Sequence, residues 1–198
     1  RIKEINDDLN VVLPDEEIQR NVSWKLKSLE FDNMFSYGKD NVVNFTKLNG
    51  IVGLFAPNAS GKSSLLDALS FCLFDTSSRA FKAANILNNK KGSFHCKANF
   101  EIDGLDYYIE RVAKKNFRSG HVKVDVEFWM VDEGGDKISL NGDQRRTTNS
   151  NIRRVVGTYE DFVLTSLSLQ TNNTVFIDKT QKERKELLAQ FMGIGIFD

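Results

Sequence analysis

At 198 residues, with 40% apolar residues and 15 phenylalanines, the chain has enough hydrophobic material for one folded domain of ordinary size, which excludes disorder as its main state. Its 27 basic and 27 acidic residues cancel, so net charge alone points to neither a nucleic acid nor a membrane. No run approaches the ~18 apolar residues needed to cross a bilayer, and Cys72 and Cys96 lack metal-ligand spacing, so both read as reduced thiols of a cytoplasmic chain, or a nuclear one in a eukaryote.

The first residues, Arg1 to Asp8, are too acidic for a signal peptide, and the start on Arg1 and the end on Asp198 read as those of a piece of a longer polypeptide. Residues 1–22 carry a weak apolar pattern broken by Pro14, which predicts a short helix and a linker. From Trp24 the pattern turns strand-like: Trp24, Leu26, Leu29 and Phe31, then Asn41 to Phe45, with a turn over Phe35 to Gly38 between them. This hairpin leads to Gly50 to Phe55, a short apolar run that predicts a buried strand.

Leu54 to Ser64 is the stretch around which the chain is organised. After it, Leu65, Leu66, Ala68, Leu69, Cys72 and Leu73 recur at helical spacing, so the sequence reads strand, loop, helix. A loop of this kind aims several backbone N–H groups at one point, where the helix dipole adds partial positive charge. It is built for phosphate: Lys62 would reach the β and γ phosphates, Ser63 would hold Mg2+, and Ser64 would donate to the α phosphate. The first glycine of the usual G-x-x-x-x-G-K-[ST] pattern is Ala56 here, and Ala59 fills a position that is often glycine; both are small, but neither reaches φ > 0 as freely. Tyr37, in the turn before this segment, is either a plain turn aromatic or a neighbour of an adenine.

Beyond the helix, Asp75 to Asn89 reads as irregular, with a short apolar turn at Ile86 and Leu87. Phe94 to Ile102, Tyr107 to Val112 and Val122 to Val131 alternate apolar and polar residues between turn signals and predict antiparallel strands, with Ile138 to Leu140 following. Thr147 to Val156 predicts a helix capped by Thr, Asn or Ser and closed by Gly157; Tyr159 to Phe162 opens another, giving way to Leu164 to Leu169 and Gln170. Thr180 with Glu183 forms a capping box at the head of a last helix, with Leu187, Leu188 and Phe191 on one face. The expected architecture is α/β, a P-loop NTPase with a mixed sheet and an antiparallel β subdomain.

Taken together, Leu26 to Phe31, Asn33 to Gly38, Phe55 to Leu69, Leu167 to Gln170 and Lys182 to Leu188 resemble the N-terminal lobe of SbcC-type ATPases. These are the SMC-like, ABC-class subunits of double-strand-break-repair nuclease complexes, phage recombination counterparts included. The resemblance spans about Trp24 to Asp198 and implies an extension over 1–22, a head lobe over 23–180 and a coiled-coil entry over 181–198. It implies an ABC/SMC-type head that binds ATP and Mg2+ through Pro57, Asn58, Ala59, Ser60, Gly61, Lys62, Ser63 and Ser64, with Asn58 at the γ phosphate. Gln170 matches the glutamine that touches the metal and the attacking water, which makes Lys62 and Gln170 the catalytic candidates.

The resemblance further implies a second head as homodimer partner, a nuclease subunit, DNA, and no membrane. The Walker B acids, the Leu-Ser-Gly-Gly signature and the switch histidine of such heads are missing from this chain, so hydrolysis would need a C-terminal lobe. Two stretches without acids, Arg79 to Lys97 and Arg111 to Lys123, suggest contacts to DNA phosphates by Lys114, Lys115 and Arg118, or simply a solvated face. Another ABC-class ATPase and a non-hydrolysing nucleotide-binding scaffold are the competing readings.

Overall fold

The computed structural model describes residues 23–80, 82–167, 177 and 179–191; the helix and linker expected over 1–22 lie outside them. Six strands form one wholly antiparallel sheet in the order β2-β1-β3-β4-β5-β6: β1 (Lys25–Asp32), β2 (Asn41–Asn44), β3 (Ser93–Ile102), β4 (Leu105–Lys115), β5 (Val122–Val131) and β6 (Lys137–Ser139). Their alternation decides which face is covered. Phe94, Cys96, Ala98 and Phe100 of β3, Ile109 and Ala113 of β4, and Val124 and Phe128 of β5 are buried on one side. The opposite face is polar, with His95 against Glu110 (2.7 Å), Lys27 against Asp106 (2.6 Å) and Tyr108 stacked on Trp129.

Helix α1 (Lys62–Phe74) lies on the covered face. It is apolar on nearly all sides, and nine of its residues, from Ser64 to Phe74, are buried, as suits a helix enclosed between a sheet and other helices. A four-residue helix, α2 (Ala83–Ile86), follows where the sequence predicts only an irregular turn; then come α3 (Arg145–Val156), α4 (Tyr159–Thr165) and α5 (Gln181–Phe191). No Thr, Asn or Ser caps α3. Its N-cap is Gln144, and Thr148, inside the helix, instead accepts from Gly142 N. Gly157 ends α3 at φ +92. The capping box before α5 forms, with Thr180 N and Oγ1 both 2.7 Å from Glu183 Oε2; these bonds hold the Glu183 carboxyl below its ordinary range. Among the described residues no helix is long and apolar enough to cross a membrane.

The strand expected over Gly50 to Phe55 is not formed. Ile51 and Phe55 are almost fully exposed and Val52 and Leu54 more than half so, and the run has no regular structure. A short apolar run becomes a strand only when neighbours satisfy its backbone, and no described strand lies beside this one.

The far end of α1 is tied to the sheet by Arg111, which is 0% exposed although it carries a full charge. From the covered face of β4 its Nε donates to Cys72 O (2.8 Å), Nη2 to Leu73 O (3.3 Å) and Nη1 to Asn149 Oδ1 (2.9 Å). Asp75, the left-handed cap residue of α1, lies 3.7 Å from Nη1 and also binds Arg145 Nη2 (2.7 Å) and Asn149 Nδ2 (2.8 Å). Burial pulls the Arg111 guanidinium below its ordinary value, and Asp75 opposes that shift. Arg111→Ala leaves Asp75 and two helix-end carbonyls short of a buried partner, so it is expected to cost about 3–5 kcal/mol in urea unfolding; a loss below ~1 kcal/mol would show that the clamp is dispensable.

Candidate functional site

The loop from Ala56 to Gly61 enters α1 through a glycine whose shape is required. Gly61 is the N-cap at φ +98, and a Cβ there would stand 2.7 Å from Ser36 Oγ and 3.3 Å from the Tyr37 ring. Ala59 also adopts a left-handed conformation, φ +62, at the position expected to miss a glycine; for a residue with a Cβ this costs roughly 1–2 kcal/mol. No acidic residue occupies the first turn of α1, and no side chain caps it, so its first N–H groups and the dipole are left for an anion.

A cavity of about 570 Å3 opens above this helix start. Asn58, Ala59, Gly61, Lys62, Ser63 and Ser64 line it from the loop, and Ser36 and Arg79 from neighbouring segments. Ser63 is exposed, while Ser64 is 7% exposed and turned inward, so the two hydroxyls stand in different settings. Lys62 Nζ folds back on the loop, donating to Ala56 O and to Pro57 O (2.7 Å). Pro57 and Ser60 close the turn before it, Ser60 N donating to Pro57 O (3.3 Å). The residues fit a polyphosphate with its cation: a positively polarised helix start, one ammonium, one guanidinium, three hydroxyls and no acid among the described lining residues.

Tyr37 has a structural task. Its hydroxyl donates to Gly61 O (3.1 Å) and its ring meets Phe31 edge-on, so it supports the loop from below. The turn that carries it is itself pinned: Asn33 N donates to Gly38 O (2.7 Å), Phe35 N to Ile86 O (2.6 Å) and Asn88 Nδ2 to Tyr37 O (3.1 Å). Phe35 at φ +52 is held in a conformation that a bulky residue avoids.

The other candidates are dispersed. Gln170 lies outside the described residues. Lys114 and Lys115 end β4, and because strand side chains alternate, Lys114 points to the polar face and Lys115 to the side of Ala113; Arg118 is exposed in the following turn. The three therefore do not form one patch. No group of three His, Cys, Asp or Glu residues suited to a metal occurs among the described residues. Both cysteines are buried and free; burial, with Cys72 beside it, pushes the Cys96 thiol well up. Sequence reasoning does not find Ser36 or Arg79 as lining residues of this cavity; the acid amid the apolar positions of α1, Asp67, is buried behind it and paired with Arg79.

Comparison with known proteins places this geometry. Residues 28–192 match the family model AAA_23, described as an AAA domain. The uncharacterized protein R555 of Acanthamoeba polyphaga mimivirus is 40% identical over 181 residues, 88% of this chain and 13% of the relative. The SbcC component of the nuclease SbcCD from Clostridium acetobutylicum is 26% identical over 165 residues, 80% of this chain and 14% of the relative. The chain thus spans about one seventh of the length of these relatives. A solved Smc head domain with coiled coil and joint from Pyrococcus yayanosii shares the fold, with a TM-score of 0.60 and 22% identity over 87% of this chain and 33% of that one. Over most of its length the chain is similar to SbcC-type, SMC-like proteins, and it belongs to the AAA_23 family of AAA domains.

Proposed function

We propose that the loop from Ala56 to Ser64 binds Mg-ATP as one half of an ATPase head, a function supported above all by the acid-free, uncapped start of α1 facing the cavity. Lys62 would leave the carbonyls of Ala56 and Pro57 for the β and γ phosphates, Asn58 would meet the γ phosphate, and the exposed Ser63 hydroxyl would ligate Mg2+. The metal would neutralise phosphate charge, and Gln170 would orient water beside it. On this reading the lobe is 23–180, and 181–198 begins a coiled coil.

The exposed run Ile51 to Phe55 favours an incomplete head: these apolar residues would become a strand when a C-terminal lobe supplies the neighbours and the hydrolytic acids. Two completed heads would close on ATP, bind DNA and control a nuclease subunit, in the cytoplasm or nucleus where DNA lies. In the full-length protein Lys62→Ala is expected to weaken Mg-ATP binding at least tenfold without changing the thermal midpoint. Unchanged binding would exclude the nucleotide reading and leave a scaffold.

For DNA, the alternation of β4 favours Lys114 and Arg118 over Lys115. Replacing all three by alanine is expected to reduce the slope of log affinity against log salt by about two rather than three, at about one for each phosphate left without its cation. An unchanged slope would remove this hairpin end from the DNA surface.

A further inference from the structure

Phe55 and Phe117 are 93% and 80% exposed. Phe55 belongs to the apolar run that a C-terminal lobe would cover. Phe117 belongs to no such run: it sits between Asn116 and Arg118 in the turn from β4 to β5, with no apolar face around it. A lone exposed aromatic is ordinary in itself. The setting of this one is not.

The turn is held by its own hydrogen bonds. Asn116 N donates to His121 O (2.8 Å), Gly120 N donates to Asn116 O (2.8 Å), and Asn116 Oδ1 accepts from Arg118 N (2.9 Å) and Ser119 N (3.2 Å). The ring is held by its tip. A Cβ on Gly92 would stand 2.7 Å from Phe117 Cζ, with Cε2 and Cε1 at 3.4 and 3.7 Å, so the para edge meets the Gly92 backbone and the two faces are left open.

The surroundings are cationic. Lys115 N donates to Gly92 O (2.8 Å), which sets the turn of Lys90 and Lys91 beside the end of β4. Lys90, Lys91, Lys114 and Arg118 are exposed and make no ion pair among the described residues, whereas Lys123 has Asp125 (2.8 Å). This end of the sheet therefore attracts an anion and also offers it a flat apolar surface. A planar base carried on a phosphate backbone matches both features at once. Inside a duplex the bases are already stacked on one another, so only an unpaired base has a face to give.

We infer that Phe117 stacks on an unpaired DNA base, so that this end of the sheet favours a single strand over intact duplex. The inference rests on the DNA reading above and deepens it: Lys114 and Arg118 hold phosphates of either form, and Phe117 tells the forms apart. Because the ring already rests on Gly92, little side-chain freedom is lost when a base stacks on it.

The test uses the full-length protein with a fluorescein-labelled oligothymidine strand and a labelled strand of the same length that lacks bases, at one salt concentration. A relaxed circular duplex, which has no ends, serves as competitor. Phe117→Ala removes an exposed ring, so its thermal midpoint should match that of the unaltered protein. The expected result is affinity for oligothymidine reduced about tenfold, the size of one base-aromatic stack, with the base-free strand and the duplex bound as before and Phe117→Trp restoring the oligothymidine. Oligothymidine affinity within twofold of the unaltered protein would overturn the inference, as would an equal loss on the strand without bases. Weakened binding of the nuclease subunit with DNA affinity unchanged would also overturn it and assign Phe117 to a protein contact. An unaltered protein that binds none of these DNAs would instead overturn the DNA reading and this inference with it.

Discussion

A full positive charge with no exposed surface, at Arg111, is the constraint on which the rest of the structure depends. Such a charge survives burial only when its donors are matched, and here the carbonyls of Cys72 and Leu73, the Asn149 amide oxygen and the nearby Asp75 match them. Two of those partners are the orphan carbonyls at the end of α1, which no further turn of helix could satisfy. One side chain therefore completes a helix terminus, ties it to β4 and, through Asp75 and Arg145, to α3. Around this point Phe74 packs on Tyr159 and Phe162, and Trp24 stacks on Phe162 and donates to Val156 O (3.1 Å).

With its last turn anchored, α1 can hold its first turn as a site. The start of the helix is restrained by the turn between β1 and β2, where Tyr37 bonds the Gly61 carbonyl and Ser36 leaves no room for a larger residue. The loop in between is exposed and carries local strain at Ala59, so its shape is imposed from both sides rather than by its own packing. A phosphate site needs this combination: backbone N–H groups fixed in direction by the fold, on a loop open enough to admit the ligand.

Much of this is legible in the sequence because its causes are local. The Gly-Lys-Ser-Ser motif before an apolar helix, the alternation of β3 to β5 and the reciprocal Thr180 and Glu183 pair each depend on residues a few positions apart. The misread parts have distant causes. Gly50 to Phe55 has strand composition, yet strand formation belongs to neighbours that the described residues do not supply. Arg111 falls in a basic stretch, although its place between Ile109 and Ala113 on an alternating strand points it inward. The same period separates Lys114 from Lys115. Arg79 stands out even less, because its partner Asp67 lies on another element and its own turn has no marked sequence pattern.

The central claim is that the start of α1 receives nucleotide phosphate through its own backbone. Hydrogen exchange followed by mass spectrometry on the full-length protein, with and without Mg-ATP, tests this directly. Amides from Ala59 to Leu65 should slow on binding, while those of the β3 and β4 hairpin, already in the ladder, should not change. Exchange that is unaltered across Ala59 to Leu65 at saturating Mg-ATP would contradict the account.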